Sequence, residues 1–193
     1  QEKIRILLML KKIIFIIILI MANNNIDKAI SYDEFDKNEM DLDVYSDYLK
    51  EWEGFSGKAY KPVESEEHYT IGYGHYGSDV KPDDVMTEGA ALSLLRDDIN
   101  DRLPEIKKRF KNFETMPIDL KKNIVSSWFR GSLSGSPKTI ELINQGKYKE
   151  ASEEFLNNEE YKNAAELGKP GIIKRMDATS KALFDFGDSL EKQ

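Results

Sequence analysis

Cysteine is absent from this chain of 193 residues, which removes disulfides, thiol nucleophiles and cysteine metal sites together and leaves the redox compartment open. Histidine is scarce. Only His68 and His75 occur, too few for a histidine-rich metal centre. Long apolar runs are also lacking, since the one present, Ile13 to Ala22, has 10 residues against the roughly 20 that a membrane-spanning helix needs. Positive charge is in deficit, with 28 lysines and arginines against 35 acids and a formal net charge of −7. No basic face for phosphates is visible, so the composition argues against nucleic acid as a partner. The same balance gives no long-range attraction to an anionic surface.

What is present suits a soluble protein with one core: 40% hydrophobic and 33% charged residues in a chain too short for two full-sized domains. Residues 1–26 form an apolar leader in which Lys3, Arg5, Lys11 and Lys12 precede the apolar run. Three readings stand side by side: a signal peptide, a retained signal anchor that associates with membrane through residues 13–22, and upstream translated sequence ahead of a start at Met21. Residues 27–43 carry seven acids against Lys28 and Lys37 with little apolar periodicity, which predicts a flexible acidic linker. The compact domain is expected over residues 44–193.

Within that domain the pattern predicts α+β. Val44, Tyr48, Leu49 and Trp52 have helical spacing, and Gly54 stands where a helix commonly stops, so Glu53 is placed at a helix end. Tyr60, Tyr69, Ile71, Tyr73 and Tyr76 among glycines suggest a small antiparallel sheet. Helices are expected from Thr87 to about Arg102, from Glu105 to Phe110 beyond a break at Pro104, and from Pro117 through Trp128 as the central buried helix. Two more amphipathic segments follow, Pro137 to Asn144 and Lys147 to Leu156, then a last helix from near Pro170 to about Phe186.

The most specific stretch runs from Glu53 to Val80: the pair Glu53-Gly54, then Ala59-Tyr60, then Thr70-Ile71-Gly72-Tyr73-Gly74-His75. It resembles the phage-type lysozymes, glycoside hydrolase family 24, in ten positions taken in order. The resemblance continues weakly in Trp128 to Gly131, in residues 141–155 and in Gly171 to Arg175, where the acid that usually follows a pair of arginines is absent and Arg175 alone is kept. It implies a lysozyme-like fold, mostly helical with a small antiparallel sheet beside an active-site cleft. It further implies a monomeric muramidase acting on peptidoglycan glycan strands without metal or cofactor, in the host periplasm or cell wall after export, or in a virion.

Glycoside hydrolysis needs a protonated carboxyl and a second carboxylate. Glu53 fits the first role, and a setting against Trp52 and the aromatic sheet would favour its neutral form. The family's aspartate, nine residues on, is replaced by Pro62. Counting six back from Thr70 gives Glu64, with Glu66 the rival; on an extended segment both would share a face with Thr70, and Glu67 would point away. A gap of about 6.5 to 9.5 Å between the carboxyls, the inverting arrangement, is expected. The resemblance assigns Thr70 to holding the water and pairs His75 with Asp98, Asp97 being the alternative; His68 is expected in solvent. A chain that kept the fold without a second carboxylate would be a wall-binding or virion structural protein instead.

Overall fold

A computed structural model of the chain describes residues 11–12 and 32–192. Two units result, residues 1–38 and 39–193. In the first, residues 11–12 and 32–38 are described and are helical, whereas the apolar run at 13–22 and residues 27–31 lie outside the described residues.

Helix α1 (Tyr32–Glu53) takes in residues 32–43 of the stretch expected as a linker, so the helix expected from Val44 begins earlier in the chain. Leu42, Tyr45 and Leu49 are buried along one face of it, and that burial fixes the helix. The acids that read as a solvated charge run find distant cations. Arg96 pairs with Asp43 and, at 2.9 Å, with Glu39, while Lys121 Nζ lies 3.3 Å from Asp41. These partners are 53 to 80 residues away in sequence, where no local pattern reveals them.

Three short antiparallel strands follow in the order β1 (Ser56–Tyr60), β2 (Tyr69–Gly72) and β3 (His75–Gly77). The register pairs Tyr60 with Thr70 and Thr70 with Tyr76. Directly opposed residues share a sheet face, so Thr70 is flanked by the two tyrosines, and Ile71 and His75 lie together on the other face.

Helix α2 (Glu88–Arg109) starts at Thr87, whose side chain accepts from the Ala90 amide at 3.3 Å. Contrary to expectation it runs through Pro104. The exposed proline removes one backbone hydrogen bond, and the burial of Ile99 and Ile106 on either side keeps both halves on the same core. A 3₁₀ turn (Phe113–Thr115) leads to α3 (Ile118–Phe129), which is buried on nearly every side, as a central helix must be. Beyond it come α4 (Pro137–Asn144), α5 (Tyr148–Leu156), α6 (Glu159–Glu166), which the sequence reading missed, and α7 (Pro170–Glu191), longer by about a turn than expected. Helix α7 packs on α3, where Ser127 and Thr179 share a buried 2.7 Å hydrogen bond. It also passes close to the start of α5: a Cβ on Gly187 would lie 3.1 Å from Tyr148 Cβ and from the Lys149 backbone nitrogen.

If α1 is integral from residue 39 onward, Asp41→Asn removes the charge that meets buried Lys121, with Glu114 at 3.8 Å left as its remaining carboxylate neighbour. The expected loss is about 1 to 3 kcal/mol, read from urea unfolding. A true linker would show no change.

Candidate active site

Glu53 is the last residue of α1, and Gly54, at φ +66°, turns the chain toward β1 in a conformation that favours glycine. Its Oε1 lies 2.7 Å from Arg175 Nη1 on α7. Arg175 is buried. Its Nε donates to Ser126 Oγ and its Nη2 to the Ser126 carbonyl on α3, both at 3.0 Å. Burial pushes the guanidinium below its ordinary pKa, Glu53 opposes that shift, and the neighbouring Arg130 adds to it. The setting of Glu53 is therefore an ion pair rather than the apolar aromatic wall that the sequence suggested. The other carboxylate oxygen faces the β2–β3 turn, 3.6 Å from where a Cβ on Gly74 would stand. Gly74 has φ +87°, so the turn is built on a residue without a side chain just where the acid approaches.

Thr70 is buried between Tyr60 and Tyr76, which are 42% and 48% exposed and thus offer flat apolar faces to a ligand. The segment before it is not extended. Residues 61–68 form turns and bends, closed by the Glu66 amide donating to the Val63 carbonyl at 3.0 Å, so strand alternation does not order the acids. Glu64 and Glu67 are exposed, as is Pro62. Glu66 is half-buried, and its Oε2 is shielded from solvent without a hydrogen-bond partner among the described residues. His68, expected in solvent, is half-buried against the Tyr76 ring, with centroids 5.5 Å apart.

His75 meets Asp98, as the resemblance implied, and exposed Asp97 plays no part. Its Nδ1 lies 2.9 Å from Asp98 Oδ2, and its Nε2 is 3.0 Å from Asp79 Oδ2. Burial of the imidazole opposes its charge, but the hydrogen bonds and charges of Asp79 and Asp98 outweigh this and raise its pKa. Asp79 is correspondingly held below its ordinary value by the hydrogen bond to His75. Sequence reasoning missed Asp79, although its spacing of four residues from His75 across a Gly-Ser turn could have signalled it. It also missed the clamp on Glu53, for which Arg175 within Gly171 to Arg175 was the available sign; Ser126 gave none.

A catalytic-type carboxyl carried on a helix end, clamped from a helical core and covered by a glycine-rich hairpin, defines an α+β lysozyme-like domain. Residues 50–179 match the phage lysozyme family, and the chain belongs to that family. It is 35% identical to the endolysin of Bacillus phage B103 over 142 residues, 73% of this chain and 52% of that protein. The endolysin of Bacillus phage PZA is 34% identical over 145 residues, covering 72% of this chain and 52% of its own length. A shorter match, 48% over 54 residues, links 28% of the chain to 23% of the endolysin of Lactococcus phage c2. The chain thus spans about half the length of the Bacillus phage relatives it matches.

The raised pKa of His75 adds stability that is complete below the ordinary histidine value and is lost as pH rises through the folded one. The lowered pKa of Asp79 adds stability above the ordinary aspartate value, lost as pH falls through the folded one. Both contributions are present between about pH 4 and 6.5. Asp98→Asn should move the His75 titration, followed by NMR, toward lower pH. It should also shrink the gain in melting temperature between about pH 8 and 5.

Proposed function

We propose that this chain is a peptidoglycan hydrolase that cleaves the β-1,4 bond between N-acetylmuramic acid and N-acetylglucosamine, acting as a monomer on the bacterial wall in phage lysis or entry. The observation that carries the reading is the position of Glu53, fixed by Arg175 at 2.7 Å and set against the Gly74 turn. In this mechanism Glu53 protonates the leaving glycosidic oxygen, and Arg175 stabilises the carboxylate left behind. A second carboxylate from the 61–68 loop, Glu64 or Glu66, activates the attacking water beside the Thr70 hydroxyl, an inverting arrangement. Tyr60 and Tyr76 offer their rings to the sugar chain.

The printed names of the relatives, endolysins, support a lytic role. Export is assigned to the leader at residues 1–26, with the virion as the alternative place of action. Pro62, standing where the family has an aspartate, favours a second reading, a wall-binding protein without activity. Glu53→Gln decides between them. The amide keeps the shape and cannot donate the proton, so release of new reducing sugar ends from purified peptidoglycan should fall by roughly 100 to 10,000-fold with the melting temperature nearly unchanged. A wild-type protein that releases no reducing ends would establish the inactive reading.

A further inference from the structure

We infer that Glu66, not Glu64, is the carboxylate that activates water. The inference rests on the muramidase reading above and names the residue that the reading leaves open. The sequence offers three glutamates in the loop, and count alone points to Glu64. Their surroundings separate them.

Glu66 Oε2 is shielded from solvent and has no hydrogen-bond partner among the described residues. A buried acceptor without a donor is uncommon in a folded chain, and a bound water is the usual way it is met. The main chain of Glu66 is also held at both ends: its amide donates to the Val63 carbonyl, and its own carbonyl accepts from Lys61 Nζ at 2.7 Å. That ammonium lies 5.1 Å from the centre of the Tyr69 ring, tying the loop to the residue just before Thr70. Glu64 lies exposed at the turn, and the Glu67 side chain is 85% exposed. A base that orients water must be held in place before the substrate arrives, and Glu66 is the loop glutamate so held.

In the step itself, Glu66 takes a proton from the water as its oxygen bonds to the anomeric carbon. The bond from that carbon to the glycosidic oxygen breaks, and Glu53 supplies the proton to the departing oxygen. Glu66 then returns its proton to solvent and Glu53 regains one, so the enzyme is restored with one water consumed.

The test compares Glu64→Gln, Glu66→Gln and Glu67→Gln in the full chain on purified peptidoglycan, with melting temperature as the check on folding. Glu66→Gln should lose roughly 100-fold or more in kcat and lose the acid limb of the pH profile, because that limb reports protonation of the base. The other two should stay within a few-fold of wild type. Glu66→Ala supplied with azide, an anion that needs no deprotonation, should regain cleavage and form a glycosyl azide of inverted configuration. Loss of activity in Glu64→Gln with Glu66→Gln active overturns the inference. So does an inactive, folded Glu66→Ala that azide does not rescue, which would leave Glu66 a structural role. Undiminished cleavage by Glu53→Gln would instead defeat the two-carboxylate reading itself, and this inference with it.

Discussion

A guanidinium taken out of water is costly unless its charge and its donors are met, and the site depends on how that is done for Arg175. Ser126 supplies two neutral acceptors from α3, and Glu53 supplies the negative one from the end of α1. Three helices distant in sequence thus meet at one cation. Glu53 is therefore positioned by the packed helices rather than by a loop, which gives it a more precise place than a surface glutamate could have. The cost of losing either partner is shared: the arginine would be left with uncompensated charge, and the acid would be free to rotate.

The glycine-rich turn is restrained from two sides. Gly74 lies against the Glu53 carboxylate, and the next residue, His75, is bridged to Asp98 on α2 and to Asp79 beyond β3. Even Gly77 contributes, because a Cβ there would fall 2.3 Å from Asp79 Oδ1. The close approach of Gly74 to Glu53 and the pairing of His75 with Asp98 thus connect adjoining residues of the turn to α1 and to α2. Between them and the loop, β2 carries Thr70 with a tyrosine on each side.

Much of this was legible in the sequence because it rests on local rules. Gly54 ends a helix and so places Glu53; alternating aromatics among glycines give the hairpin; the stripe of Leu120, Ile124, Val125 and Trp128 marks a core helix, although the burial of Lys121, Asn123, Ser126 and Ser127 around it could not be read locally. The misreadings share a cause. Asp41 read as part of a solvated charge run because its cation, buried Lys121, is far along the chain, whereas Glu39 and Asp43 stay exposed even where they pair with Arg96. Pro104 reads as a break because its local cost is visible, whereas the burial of Ile106 that offsets it is tertiary. In the 61–68 loop the assumption of an extended strand ordered the acids by alternation, and a turn closed on Val63 removes the basis for that order. Serine at 126 carries no signal at all, since its role exists only once α7 lies beside α3.

The pairing of Glu53 with Arg175 has a consequence in time as well as in space. Translation makes the acid early and its counter-charge 122 residues later, after every other element that shapes the site has left the ribosome. A nascent chain that already holds α1, the hairpin and α3 still lacks the group that fixes Glu53, and the acid swings free until α7 emerges and docks. The order of residues along the polymer thereby delays the finished cleft until nearly the whole fold is in place.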